Sequence, residues 1–260
     1  MNHLVPAYLP PFVLLGTVGT IATLLFGLYR ALRRTAWPAP GRLRAFWSLA
    51  AILVAWSIAA LVPVRLGFYQ GTPTRIPTIP FGLLIPIAAG VMLFWRWPLL
   101  RRVIGAVPQE WIVSVQVYRA LGFIFLVLYA SGRLPREFAW PAGAGDVLVG
   151  LLAPFAGLAY ARGSSGSANF VRAWNLFGLA DLVVALTTGF LSSPSQFQML
   201  AFDRPNELIG AFPLAMVPVF LVPLSVLLHL ASLEKLRPVQ TGPHAYPISA
   251  ARSVPANAAD

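Results

Sequence analysis

Seven long apolar runs limit the fold of this sequence more than any other feature. A helix needs about 20 apolar residues to cross the hydrocarbon core of a bilayer, which is about 30 Å thick. The runs are continuous, whereas the strands of a membrane barrel would alternate over about ten residues each. We therefore predict an all-α membrane protein, a polytopic bundle of seven transmembrane helices at 11–29, 43–64, 79–97, 111–130, 141–160, 169–190 and 208–230.

The composition agrees with a chain that lies almost entirely in lipid. Hydrophobic residues make up 58% of the 260 residues and charged residues only 10%, whereas a soluble domain carries about 25% charged residues. This excludes a globular soluble enzyme. Residues 1–236 form one predicted transmembrane domain, and residues 237–260, rich in Pro and Ala, are predicted to be a disordered cytoplasmic tail.

The basic residues follow the membrane topology. Nineteen Lys and Arg oppose eight acids, and thirteen of the nineteen lie on the side reached after the first helix, against five on the other. This bias predicts an external N-terminus and a cytoplasmic C-terminus in a multi-pass protein of the cytoplasmic (inner) membrane. Because the charges sit at the ends of apolar runs, we expect membrane lipids as partners and no nucleic acid.

Several kinds of chemistry are excluded by residues that the sequence lacks. There is no Cys, which removes disulfides, thiol catalysis and the usual zinc sites. His229 is the single histidine in a membrane segment, so a haem held by two histidines is excluded. Lys235, the only Lys, lies beyond the last helix, which excludes a retinal Schiff base. We predict no metal site and no cofactor.

Aromatic and proline residues are interpreted structurally. Seven tryptophans near helix ends are predicted to be interfacial anchors, while Trp56 lies in mid-helix: Trp37, Trp47, Trp95, Trp97, Trp111, Trp140 and Trp174. Pro213, Pro218 and Pro223 recur through the seventh run and predict a kinked helix, because proline has no N–H to donate. An unwound stretch that exposes carbonyls to a cavity is the functional alternative.

A few polar residues inside the apolar runs call for an explanation, since a charge there costs at least about 2.5 kcal/mol. On the fourth, fifth and sixth helices these residues share faces with small residues, which indicates that the faces point toward other helices. We expect Arg119 to pair with Asp181, with Asp146 also within reach, and we interpret His229 as a packing or interfacial residue. The predicted ligand-binding residues are Gln116, Arg119, Asp146, Asn175 and Asp181.

Two segments around the aspartates are similar to each other. Residues 143–151 and 178–186 share Gly, a small residue, Asp and an aliphatic run, 35 residues apart. Because consecutive helices run in opposite directions, the copies resemble an inverted repeat, an arrangement that places substrate sites near the midplane of many transporters. Chance similarity between Gly- and Ala-rich helices is the alternative.

The string Gly143-Ala144-Gly145-Asp146 resembles the GxGD motif of intramembrane aspartyl proteases. The resemblance implies that Asp146 and a second aspartate, here Asp181, would share a proton. The sequence lacks the Tyr-Asp pair and the Pro-Ala-Leu motif of those families, and a nearby Arg119 would favour two ionised carboxylates.

Three classes of function therefore remain open. The one we favour is binding or transport of a small polar or anionic molecule held by Arg119, with an aspartate accepting protons. The second is an intramembrane enzyme that uses Asp146 and Asp181 on a lipid or peptide substrate. The third is a non-catalytic accessory subunit whose charged residues only hold helices together. An enzyme is the less favoured class, because no nucleophile–base pair is evident.

Overall fold

The computed structural model describes residues 5–237, and every regular element among them is helical. Seven helices are long and apolar enough to cross a membrane, which confirms the predicted all-α membrane fold. The predicted tail at 237–260 lies outside the described residues apart from Arg237. The elements are α1 (Leu9–Arg33), α2 (Ala39–Arg65), α3 (Ile79–Arg96), α4 (Pro98–Ala106), α5 (Gln109–Ala130), α6 (Arg136–Ala161), α7 (Ser167–Ser192) and α8 (Val217–Lys235).

Connections of unequal length join the spans, the longest being residues 193–216 between α7 and α8, and successive spans run in opposite directions. We call the end of the bundle where α1 begins the N-terminal face, and the end where α8 finishes the C-terminal face. The first six spans agree with the predicted runs to within a few residues. The orientation of these faces relative to the cell stays a prediction.

The centre of the molecule is formed by α5 to α8, and glycines allow its helices to approach closely. A side chain at Gly150 would overlap the backbone nitrogen of Ala120 on α5, and one at Gly157 would overlap the Ser114 hydroxyl. Small residues on α6 thus face another helix, as their spacing on the sequence predicts. The backbones of α5 and α6 are therefore in close contact at these glycines.

The middle of α5 differs from the regular α-helix that the sequence suggests. Residues Val115–Gly122 form a 3₁₀-helix between two α-helical ends, Gln109–Ser114 and Phe123–Ala130. In a 3₁₀-helix residues three apart are eclipsed, so Gln116, Arg119 and Gly122 lie in one line. Residues at this spacing share a face in either kind of helix, which is why the sequence predicts the shared face but not the tighter winding.

The predicted start of the seventh span at Leu208 is wrong. Residues Leu208–Gly210 form a separate 3₁₀ turn, and the continuous helix begins at Val217 with a π-helical turn, Val217–Leu221, before the α-helix Val222–Lys235. Each of the three prolines lacks a backbone N–H and so removes one helical hydrogen bond. The segment is apolar throughout, but it is not helical throughout, which is why hydrophobicity alone places the start of the helix too early.

The helix α4 was not predicted. Its last carbonyls accept hydrogen bonds from Lys235 Nζ, which lies 2.9 Å from the oxygen of Ile104, 3.0 Å from that of Gly105 and 2.8 Å from that of Val107. A cation at the C-terminal end of a helix satisfies carbonyls that the helix leaves unpaired and opposes its dipole. Lys235 therefore links the end of α8 to α4.

The remaining spans pack around this centre. Helices α1 and α2 form a hairpin, while α3 packs on α8, where Gly82 and Gly90 meet Val219 and Leu227. An apolar cleft of about 1000 Å³ lies between α2, α3 and α8. Its lining is almost entirely apolar, as expected of a protein surface in contact with lipid.

Candidate functional site

Arg119 lies at the centre of a buried polar cluster. Its Nε donates to Asp146 Oδ1 at 2.8 Å, and its Nη2 lies 2.7 Å from the same oxygen and 2.5 Å from Asp181 Oδ2. Its Nη1 donates to the Gly178 carbonyl at 3.2 Å and lies 3.1 Å from His229 Nε2. A guanidinium has five N–H groups and no acceptor, so every donor of Arg119 is engaged by the protein.

The two carboxylates reach Arg119 because glycines leave room beside them. A side chain at Gly122 would contact Asp146 at 2.5 Å, and one at Gly145 would overlap the Asp181 carboxylate. Asp146 belongs to α6 and Asp181 to α7, so a single α5 cation joins three helices. Only 2% of the Arg119 side chain is exposed, against 12% of Asp146 and 8% of Asp181.

The hydrogen bond to Arg119 determines the tautomer of His229. Because a guanidinium can only donate, His229 Nε2 is the acceptor, and the ring hydrogen is on Nδ1. That hydrogen is donated to Asn175 Oδ1, 2.9 Å away. The ring also packs against Trp174, with centroids 4.9 Å apart. His229 is therefore neutral here and adds no charge to the cluster.

The polar chain continues from Asn175 to the C-terminal face. Asn175 Nδ2 donates to Ser232 Oγ at 2.8 Å, and Gln109 Nε2 donates to the same hydroxyl at 2.7 Å. These bonds join three of the central helices, since Gln109 begins α5, Asn175 belongs to α7 and Ser232 lies near the end of α8. The chain of side chains thus extends from Asp146 through Arg119 and His229 to Gln109.

Gln116 is the predicted site residue that the cluster does not include. It is completely buried, yet neither its amide nitrogen nor its amide oxygen has a hydrogen-bond partner among residues 5–237. It lies one 3₁₀ turn before Arg119 on the same line of α5. A buried amide without a partner costs free energy, and nothing in the described structure offsets that cost.

The last residue of the π turn in α8, Leu221, contributes a backbone carbonyl that accepts a hydrogen bond from α5. Tyr118 donates its hydroxyl hydrogen to the carbonyl oxygen of Leu221 at 3.3 Å, and its oxygen lies 2.6 Å from Ser225 Oγ. These residues line a cavity of about 40 Å³ together with Arg119 and Asp146. A cavity of this size has room for a water molecule.

A larger cavity of about 300 Å³ lies on the other side of Asp146, toward the N-terminal face. Its walls come from the start of α3, the second half of α5, the first half of α6, the second half of α7 and the start of α8, and they are apolar except for Asp146, Thr187 and Ser193. Both hydroxyls donate to backbone carbonyls, Thr187 to Val183 and Ser193 to Gly189. Asp146 is thus the one charged residue that residues 5–237 contribute to the lining of this cavity.

With both aspartates ionised, the cluster has a net charge of −1. Arg119 contributes one positive charge, Asp146 and Asp181 contribute one negative charge each when ionised, and His229 is neutral. Arg119 donates to one oxygen of each carboxylate, Asp146 Oδ1 and Asp181 Oδ2. An uncompensated charge in a buried site is costly, so the cluster calls for a proton or a cation.

The sequence and the structure agree in part on this site. Arg119, Asp146, Asp181 and Asn175 meet in one connected cluster, and Asp146 pairs with Arg119 as fully as the expected partner Asp181 does. Trp174, predicted to be an interfacial anchor, is buried instead, and His229, predicted to be a packing or interfacial residue, is buried and packs against it. His229 lies four residues after Ser225 on α8, and Trp174 lies four residues before Gly178 on α7, so these spacings were the signal that could have placed both residues inward.

The chemistry of a proton-sharing aspartyl pair is not what this geometry favours. The Nη2 atom of Arg119 contacts both carboxylates, so each carboxylate is directed at the guanidinium, where an aspartyl dyad would direct the two at each other across a shared proton. Within residues 5–237 no group of three or more His, Asp and Glu residues is arranged to hold a metal ion.

The comparisons with known proteins concern the part of the chain that contains the cluster. No curated protein and no solved structure matches the chain. Residues 76–237 match a family of domains of unknown function, DUF8737. This range begins just before α3 and ends just after α8, so it includes every residue of the Arg119 cluster and leaves out α1 and α2. On this match, the chain belongs to the DUF8737 family.

Proposed function

We propose that this protein binds a small molecule in the 300 Å³ cavity and transports it across the cytoplasmic membrane, with Asp146 as the charged end of the site. One observation carries the proposal: Asp146 lines the cavity and is also held by Arg119. An ionisable residue inside a membrane protein is most often part of a substrate or proton pathway. A cavity of this volume is in the range of small-molecule sites.

Protons supply the coupling in this proposal. The excess negative charge of the cluster is neutralised either by a proton on a carboxylate or by what binds beside it. Asp146 lines two cavities, of about 40 and 300 Å³, so there is room beside it both for a water molecule that carries a proton and for a ligand. Exchange of a proton against a ligand at one carboxylate would link ligand movement to the proton gradient.

Arg119 has a positioning role in this proposal. The sequence suggests that Arg119 itself holds an anionic ligand, but all of its N–H groups are directed at protein acceptors. Binding an anion would require breaking one of these bonds in a low-dielectric site. We therefore assign ligand contact to Asp146 and the orientation of Asp146 to Arg119.

The experiment fills the cavity without altering the charges. Ala142 is buried in α6 and lines the cavity, whereas Ala144 on the same helix is exposed. Purified protein with Ala142→Leu, with Ala144→Leu and without substitution is screened by thermal unfolding against a panel of small cations, neutral molecules and anions.

We expect some members of the panel to stabilise the unsubstituted protein and the Ala144→Leu variant but not the Ala142→Leu variant. Ligands that bind only the folded protein raise its unfolding temperature. Identical stabilisation profiles for all three proteins would show that the cavity binds nothing and would leave the cluster a structural element.

A further inference from the structure

We infer that the molecule bound beside Asp146 is an organic monocation with an apolar body, such as a substituted ammonium ion. This inference rests on the proposed function and specifies the class of its ligand. It differs from the polar or anionic ligand that the sequence suggests.

The charge of the cluster is the first support. Two carboxylates share one guanidinium, and a neutral His229 lies next to them. A single positive charge beside Asp146 would balance the cluster, whereas an anion would add to the excess. Because Asp146 as a whole residue is 9% exposed, its attraction for a cation is weakly screened by solvent.

The lining of the cavity is the second support. Phe125 and Phe138 lie in its wall with ring centroids 5.2 Å apart, and Phe190 lines it as well. Aromatic faces attract organic cations such as quaternary ammonium groups. The remaining walls are aliphatic apart from the two internally bonded hydroxyls, so they suit an apolar body and offer no further charged partner.

An inorganic cation fits this cavity poorly. Hard cations take about six oxygen ligands, and the cavity offers one carboxylate and two hydroxyls. An organic ammonium ion needs no such shell, because its charge is spread over a larger surface. The cavity therefore selects by charge at one end and by apolar contact elsewhere.

Protons compete with this cation for the same carboxylate. The ionisable side chains that face Asp146 are Tyr118 and Arg119 from α5, Asp181 from α7 and His229 from α8, while the facing parts of α1 and α3 are apolar. Since a proton and an ammonium ion neutralise the same excess charge, acidification should weaken ammonium binding.

The experiment uses three probes that differ mainly in charge. Benzyltrimethylammonium is positive, neopentylbenzene is its neutral isostere, and benzylsulfonate is negative. Their affinities for the full-length protein in detergent are measured by calorimetry and thermal shift over a range of pH. The variants are Asp146→Asn, Ala142→Leu, and Asp203→Asn as a matched control, because Asp203 is an exposed loop aspartate.

We expect the ammonium probe to bind at least about tenfold more tightly than its neutral isostere and to bind more weakly as the pH falls. Asp146→Asn should remove this preference while leaving neopentylbenzene binding unchanged. Ala142→Leu should weaken both probes, and Asp203→Asn should change neither.

The outcomes separate this inference from the proposed function. Equal binding of the ammonium and neutral probes, lost in Ala142→Leu, would overturn the cation inference and keep the cavity as a binding site. Tighter binding of benzylsulfonate would also overturn it. If no probe distinguished the unsubstituted protein from Ala142→Leu, both proposals would fail together.

Discussion

At the scale of single residues, the cluster around Arg119 contains one positively charged side chain and two carboxylates. One buried cation serves two carboxylates, and its two remaining hydrogen bonds go to neutral acceptors, the Gly178 carbonyl and His229. Removing the cation and removing one acid should therefore have unequal effects. This asymmetry is a property of the observed geometry and differs from that of a simple ion pair.

We expect Arg119→Gln to lower thermal stability by about 3–5 kcal/mol, because it leaves two carboxylates buried without a cation. Asp181→Asn should cost much less, since it leaves Arg119 paired with Asp146 in a neutral cluster. Thermal unfolding in detergent, followed by circular dichroism, measures both variants. Equal losses would show that the cluster behaves as separate pairs without a shared excess charge.

Gln116 and Asn175 form a second contrast between buried amides. Gln116 has no hydrogen-bond partner in the described part of the chain, residues 5–237, while Asn175 bonds to His229 and Ser232. Replacing Gln116 by Leu should leave stability unchanged or raise it, whereas Asn175→Leu should cost about 1–3 kcal/mol by leaving its partners unsatisfied. Both are measured by chemical unfolding. A large loss in Gln116→Leu would contradict the absence of a partner.

At the scale of elements, close packing among α5, α6 and α7 positions the charged side chains. The 3₁₀ winding of Val115–Gly122 aligns Arg119 with Gly122, and the glycines of α6 leave space for the neighbouring backbone and for Asp181. A helix that carried larger residues at these positions would hold the carboxylates away from Arg119. The geometry of the cluster is therefore sensitive to single methyl groups.

We expect Gly145→Ala to destabilise the protein by about 1–3 kcal/mol, because the added methyl group overlaps the Asp181 carboxylate and forces it to move. The matched control is Gly19→Ala on α1, where no atom lies within 4 Å of the added carbon. Thermal unfolding of both variants tests this. A Gly145→Ala protein as stable as the Gly19→Ala protein would contradict the observed packing.

Lys235 offers a separate test of an element contact. Lys235→Gln should cost about 1 kcal/mol, since it removes the charged donor from the last carbonyls of α4. Arg237→Gln, which removes an exposed pair with Glu234, serves as the control and should cost little. Protease sensitivity between α4 and α5 provides the measurement; greater sensitivity in the Arg237 variant would refute the assignment.

At the scale of the whole molecule, the topology follows from seven spans and the unequal distribution of basic residues. The connection at 163–166 lies on the C-terminal face, and the loop after α7, which contains Asp203, lies on the N-terminal face. If the positive-inside bias orients the protein, the first is cytoplasmic and the second external. The natural sequence has no Cys, so single cysteines report each side without background.

We expect Asp203→Cys to react with a membrane-impermeant maleimide in intact cells, and Ser164→Cys to react only after the cells are permeabilised. Both positions are exposed. Labelling of the two proteins before and after permeabilisation is compared on gels. The reverse pattern would place the N-terminus in the cytoplasm.

The sequence by itself determined the number of membrane spans and the residues that had to avoid lipid. Both follow from local properties: the length of an apolar run and the cost of a charge in hydrocarbon. For the same reason the sequence located Arg119, Asp146 and Asp181 on inward faces. It placed the start of α8 too early because hydropathy does not register the hydrogen bonds that Pro213 and Pro218 remove.

Only the tertiary structure decided which of these residues are in contact and where a cavity remains between the helices. The sharing of Arg119 by both carboxylates, the burial of His229 and the lack of a partner for Gln116 depend on angles and distances between helices far apart in sequence. The cavity beside Asp146 is a half-open space between five helices, α3 and α5 to α8. Such space is a property of their joint packing, and no single segment of the chain encodes it.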